Sequence, residues 1–215
     1  RNPSRSASTE VRPSMAPAAP SVCPSAALVE LTAIRGASSA KTVRIAAAVQ
    51  LYMVQHGSTV AGKKVELIIR DDGAVPDNAK RIAQELIVND KVAFTAGFGV
   101  TPCALAVAPL STQAKVPQVV MAAGTSIITE RSPYIVRTSF TLPQSSVIIA
   151  DWAIKNGIKK VVSIVSDYAP GHDAEASFKK RYAQGGGQLL AELRVPLASP
   201  DFAPFLQRAK DASPD

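Results

Sequence analysis

Cysteine is scarce in this chain of 215 residues, occurring only as Cys23 and Cys103. Two thiols so far apart provide neither a disulfide framework nor a metal-ligand spacing. Cys103 reads as a small apolar residue at a helix start, with a pocket-lining role left open by its place beside Thr101. Long apolar runs are missing as well. No stretch approaches the roughly 18 residues of a spanning helix, so no membrane-spanning segment is expected. Histidine occurs twice, as His56 and His172. Neither stands in a metal-ligand pair, His172 reads as a solvated loop residue, and no metal or other cofactor is expected. No G-x-S-x-G nucleophile elbow is present. Gly97-Phe98-Gly99 resembles the start of a dinucleotide fingerprint, but Pro102 stands at the third glycine position and no ribose-binding acid ends a following strand. No catalytic residue is therefore assigned, and the chain reads as a non-enzyme. Asp71-Asp72 reads as a strand end in solvent.

The net charge is +7 and the isoelectric point about 9.6. Basic residues are scattered as Lys63-Lys64, Lys159-Lys160 and Lys179-Lys180-Arg181, with no basic tract interleaved with aromatics, so no nucleic-acid partner is expected. A hydrophobic content of 47% with 19% charged residues is ordinary for a globular protein. Residues 1–24 hold five prolines and five serines without apolar periodicity. They are expected to be a disordered arm, and they lack the apolar core of a signal peptide.

What is present centres on Phe94–Pro109, FTAGFGVTPCALAVAP: an apolar strand, a glycine turn and a helix start presenting Thr101. Unpaired N–H groups and the helix dipole make such a turn receptive to a carboxylate. Gly97 and Gly99 permit the sharp turn and a close approach to a ligand, Pro102 suits the first helical turn, and Thr101 is expected as the N-cap. Pro117–Ser126, PQVVMAAGTS, repeats the pattern and ends at Thr125. Two adjacent strand ends facing one crevice make a candidate binding site.

Around this stretch strands and helices alternate. Strands are expected at 27–33, 65–70, 92–96, 118–122, 134–138, 160–165 and 188–195. Helices are expected at 41–56, 76–89, 102–114, 145–156, 174–184 and 201–211, with Ile82, Leu86 and Val88 facing inward on the second. Such alternation means parallel sheets covered by helices. Trp152 reads as core or hinge packing, and Tyr134 and Phe140 as structural. The chain stops after a helix with no following strand, so the second α/β unit is expected to be incomplete.

Several motifs in order carry a resemblance: GKKVEL with RDD at residues 62–72, DNAKRIAQELIVNDKV at 77–92, PQVVMAAGTS, TERSPYIVRTSFT at 129–141, and SDYAPG at 166–171. Together they resemble the leucine/isoleucine/valine-binding family of type I periplasmic solute-binding proteins, which serve ABC importers. The resemblance covers roughly residues 43–215. It implies a two-lobed α/β fold of doubly wound parallel sheets, an N-terminal lobe at 25–141 and a partial second lobe at 142–215. It also implies a periplasmic location, an ABC permease partner, and a small carboxylate solute, an aromatic acid or branched-chain amino acid, in the cleft between lobes.

By the same resemblance Thr101 contributes a hydroxyl to the solute carboxylate, Ala123 backbone groups, and Thr125 both hydroxyl and N–H. Gly99 and Gly124 belong to the same two turns, and Tyr168 in the second lobe is expected to stack on the solute. The sequence departs from the family at Ser139–Gln144, SFTLPQ, which lacks the acid that amino-acid binders place there. A buried ammonium without a counter-charge is costly, so the departure favours an aromatic acid. The match is loose at Gly36 and Ser38-Ser39. A ligand-sensing domain of a receptor or regulator shares this fold and stands as the alternative, with a Rossmann-like enzyme behind it.

Overall fold

The computed structural model describes residues 27–32, 39–198 and 200–215. The expected arm at 1–24, Cys23, Gly36 and Ser38 lie outside the described residues. The apolar runs of the sequence pair as parallel strands, because each is connected to the next by a helix that crosses a sheet face. The first sheet has six strands in the order β2-β3-β1-β4-β5-β6: β1 (Ala27–Thr32), β2 (Thr59–Val60), β3 (Lys63–Arg70), β4 (Phe94–Gly97), β5 (Gln118–Val120) and β6 (Ile135–Arg137). All pairs are parallel except the short β2–β3 hairpin, in which Thr59 faces Lys64. The hairpin is not anticipated from the sequence, since a two-residue strand carries no periodicity. Helices α1 (Ser39–His56), α2 (Pro76–Val88) and α3 (Thr101–Ala114) connect these strands.

The core of this unit lies between α2, α3 and the sheet. Phe98, Ala104, Val107, Val120, Ala123 and Ile128 are buried there together with Cys103, so the two turns that carry the candidate site are themselves core elements. Gln118, fully buried, donates to the Ala104 carbonyl at 2.9 Å and accepts from Ser111 at 3.0 Å, which ties β5 to α3. Both amide groups are thereby satisfied, as burial demands. Val88, expected inward, is exposed, because it sits in the last residue of α2 where the helix has passed the core.

The second sheet pairs β7 (Lys160–Ser166) with β8 (Gln188–Val195) in parallel, with α4 (Leu142–Lys155), α5 (Ala169–Gln184) and α6 (Ala203–Asp211) around it. A capping box starts α4 three residues earlier than expected: Thr141 N–H donates to the Gln144 side chain at 2.7 Å, and the Thr141 side chain accepts from the backbone. Helix α5 begins five residues earlier than its apolar pattern suggests, with Pro170 in its first turn. Gly171 makes that start possible, for a Cβ there would fall 2.0 Å from the Ser166 carbonyl oxygen. Tyr182 is buried under Ile154, Ile158 and Phe178 and donates to the Ile158 carbonyl at 3.0 Å. Trp152, by contrast, is 60% exposed on α4, and Phe140 is likewise exposed, so neither serves the packing role read from the sequence.

Candidate functional site

Two strand ends build the site. β4 closes on Gly97 at φ 115°, followed by Phe98 at φ 57°, a left-handed conformation that a bulky residue adopts only when its surroundings enforce it. Those surroundings are the core around the buried Phe98 ring and the Phe98 carbonyl, which accepts from Ala123 N–H at 2.9 Å. The β4 turn thus braces the β5 turn. Gly99 follows, half-buried, and leads into α3.

Thr101 is the first residue of α3. The N-cap is Val100, and no side chain caps this helix, so the expected capping role of Thr101 is corrected. Its hydroxyl is directed elsewhere: Thr101 Oγ1 lies 2.7 Å from Thr125 Oγ1 across 24 residues of sequence. The two side chains are 1% and 3% exposed. In such a pair one hydroxyl donates to the other, whose own proton remains for a third acceptor. A carboxylate oxygen is an acceptor of the required kind, and a charge-assisted bond would be stronger than the neutral one it replaces.

The β5 turn supplies the rest. Ala123 is buried and its N–H is already committed to Phe98, so the backbone contribution expected of Ala123 is restricted to its carbonyl. Gly124 accepts from Leu142 N–H at 2.8 Å, joining this turn to the start of α4. Among the described residues nothing accepts from the Thr125 N–H, while the Thr125 carbonyl accepts from the Arg137 guanidinium on β6. Ser126 opens a 3-10 turn (Ser126–Glu130) and bonds Asp173 of α5 through both its N–H, at 2.7 Å, and its hydroxyl, at 2.9 Å.

Tyr168 stands at the N-cap of α5, half-buried, one turn before Asp173. It makes no described hydrogen bond to Thr101 or Thr125. His172, expected in a loop, lies in the first turn of α5 and pairs with Asp167 at 2.8 Å. Sequence reasoning missed Ser126, Asp173 and Arg137. The available signal was Arg137 itself, a cation on a three-residue strand of a sheet whose neighbours are apolar.

Asp72 is a further correction. It is 0% exposed, its Oδ1 accepts from Ala74 N–H at 2.8 Å, and its Oδ2 has no partner among the described residues. Burial pushes its carboxyl above the ordinary value, against the lowering effect of the Ala74 N–H and the adjacent Cys103 thiol. Burial and Asp72 together push the Cys103 thiol up to about 12, so Cys103 is an inert core thiol. Arg137 is held below its ordinary value by burial, with the Asp173 carboxylate acting in the opposite direction.

A separate apolar cavity of about 580 Å³ lies between α1 and the sheet, with Tyr52, Met53, Val65, Phe94 and Met121 in its walls. Of the two turns it touches only Met121; Gly99, Thr101, Ala123, Gly124 and Thr125 are not in its walls. Among the described residues no cluster of His, Cys, Asp and Glu could hold a metal ion, and no helix is long and apolar enough to cross a membrane.

Comparison with known proteins gives this geometry a context. The chain is 64% identical to a solute-binding protein of an ABC transporter from Rhodopseudomonas palustris BisB5, solved in complex with 3,4-dihydroxybenzoic acid. That alignment covers 89% of this chain and 53% of the other, with a TM-score of 0.84. A second solute-binding protein, from Rhodopseudomonas palustris HaA2 in complex with p-hydroxybenzoic acid, is 44% identical over 89% of this chain and 52% of its own, with a TM-score of 0.85. The Leu/Ile/Val-binding protein homolog 6 of Brucella abortus (strain 2308) is 48% identical over 167 residues, 77% of this chain and 43% of its own length. The chain therefore spans about half the length of these relatives. Its fold is the type I periplasmic binding fold with parallel sheets. With the periplasmic binding protein family profile matching residues 27–215, the chain belongs to that family.

Proposed function

We propose that this chain is the solute-binding part of an ABC importer and that its solute is an aromatic carboxylate of the hydroxybenzoate class. The observation that carries the reading is the buried Thr101–Thr125 hydroxyl pair at two adjacent parallel strand ends, the location where open α/β sheets bind ligands. The carboxylate accepts hydrogen bonds from the free hydroxyl of the pair and from the Thr125 N–H, with Gly99 and Gly124 permitting its approach and Tyr168 offering a ring from the opposite side. Ala123 contributes its carbonyl alone.

Two features favour an aromatic acid over an amino acid. Ser139–Gln144 holds no acid for an ammonium, and the acid that does reach the donor turn, Asp173, is engaged by Ser126. Relatives at 64% and 44% identity are solved with dihydroxybenzoate and hydroxybenzoate, which supports the same class here. The division into lobes falls near residue 141, between β6 and the capping box of α4. The partner is a permease of the ABC type, and the compartment is the periplasm.

The test is thermal unfolding of the chain alone and with excess p-hydroxybenzoate, 3,4-dihydroxybenzoate or leucine. A ligand that binds only the native state raises the melting temperature by mass action, by the equivalent of about 2.7 kcal/mol at a hundredfold excess over Kd. A rise with either aromatic acid and none with leucine is expected. A rise with leucine alone would overturn the choice of solute class.

A further inference from the structure

Ser126 and Asp173 are 47 residues apart, one in the turn after β5 and the other at the fifth position of α5, on the far side of the crossing into the second sheet. Apart from the Thr141–Gln144 capping box at the junction itself, Asp173 alone among the described side chains forms a hydrogen bond from the second α/β unit to the first. Both of its oxygens are used: Oδ2 accepts from the Ser126 N–H at 2.7 Å and Oδ1 from the Ser126 hydroxyl at 2.9 Å. The Arg137 guanidinium feels the Asp173 charge and donates to the carbonyl of Thr125, the residue before Ser126. Arg137 Nε is buried and has no described partner, so this guanidinium is held by the Thr125 carbonyl and the neighbouring carboxylate.

The peptide between Thr125 and Ser126 is therefore gripped on both faces. Its carbonyl is bound by Arg137 of its own sheet, and its N–H by Asp173 of the other unit. This peptide ends at the Thr125 Cα, which carries the hydroxyl, so displacing it would move that Cα and shift the Thr125 hydroxyl away from Thr101. We propose that Asp173 is a positioning residue for the carboxylate-binding turn: closure of the second unit onto the first places its carboxylate on Ser126, and that bond locks the Thr125 donors in the geometry that holds the ligand.

Opening must break two bonds to a carboxylate, so the lock acts on ligand release. The proposal rests on the carboxylate-binding reading of Thr101 and Thr125, but the bond to Ser126 can be read without any ligand.

The experiment compares the 215-residue chain with Asp173→Ala, Asp173→Asn and Ser126→Ala. Hydrogen exchange at the Ser126 amide, without ligand, is expected to accelerate about tenfold in Asp173→Ala, the scale of one lost charge-assisted bond, and to return towards the parent rate in Asp173→Asn, whose side-chain oxygen still accepts. Dissociation of p-hydroxybenzoate is expected to be about tenfold faster in Asp173→Ala and only about threefold faster in Ser126→Ala, which keeps the amide bond. The melting temperature without ligand should fall in Asp173→Ala by only about 2–4 °C, the scale of that one lost bond. Unchanged Ser126 exchange in Asp173→Ala would overturn the proposal. So would faster release in Asp173→Ala that Asp173→Asn fails to rescue. If the parent chain binds neither aromatic acid, the functional reading fails and the exchange measurement decides the bond by itself.

Discussion

Thr101 and Thr125 illustrate how little a residue needs in order to define a site. Each is an ordinary threonine at the end of an apolar strand, and what distinguishes them is that folding buries both hydroxyls against each other at 2.7 Å. Thr101→Val keeps the shape and removes one hydroxyl. The Thr125 hydroxyl then loses its partner, and p-hydroxybenzoate affinity is expected to fall roughly tenfold to a hundredfold, the scale of one or two bonds to a charged group, as read by titration calorimetry. Asp72 yields a prediction of a different kind. Its folded carboxyl is raised by burial, so the folded chain keeps this proton at pH values where the unfolded chain has released it. The contribution to stability is full below the ordinary carboxyl value of 3.8 and is lost as the pH rises through the raised one. Asp72→Asn removes the ionisation, so denaturant midpoints measured from pH 4 to 7 should fall less steeply in the variant than in the parent. A parallel fall in both would refute this account.

Elements were legible in the sequence to the extent that they are apolar and periodic. The parallel strands and the helices between them follow from runs such as VELIIR and helices such as Pro76–Val88, and the glycine turns mark their ends. Partners far apart in sequence were not legible. Nothing local distinguishes a threonine that caps its own helix from one that bonds a residue 24 positions away, and nothing local marks Asp173 until α5 is seen against Ser126. Trp152 was misread for a related reason: periodicity shows which face of α4 is apolar but not whether another element covers it. Helix ends follow their own rules, and α3 breaks one of them. Its C-cap, Lys115, sits at φ 57° and ψ 35°, a left-handed conformation that costs a side-chain-bearing residue about 1–2 kcal/mol. Glycine lacks this cost but loses about 0.5–1 kcal/mol in chain entropy. Lys115→Gly is therefore expected to stabilise the chain by about 0.5–1 kcal/mol in chemical unfolding, with no change in ligand affinity.

At the scale of the whole molecule the distribution of apolar surface is uneven. Helix α4 presents Ile148, Ile149 and Trp152 to solvent, α1 presents Leu51, Tyr52 and Val54, and apolar cavities of about 580 and 440 Å³ lie beside these helices. Contiguous exposed apolar surface of this kind favours association. Sedimentation velocity is expected to show self-association that rises with concentration, and Ile148→Lys with Ile149→Lys should reduce it while leaving the melting temperature near the parent value, since neither side chain is buried.

The order of the six-stranded sheet has a temporal meaning. β1, the earliest of its strands in the chain, lies inside the sheet with β3 on one side and β4 on the other. On a ribosome, which releases the N-terminal part first, the seed strand emerges before either neighbour, and the sheet can then be laid down outward, β3 to one flank and β4, β5 and β6 in turn to the other. From β3 onward each strand finds its inner neighbour already made, and the two turns that hold Thr101 and Thr125 are added to a platform that already exists.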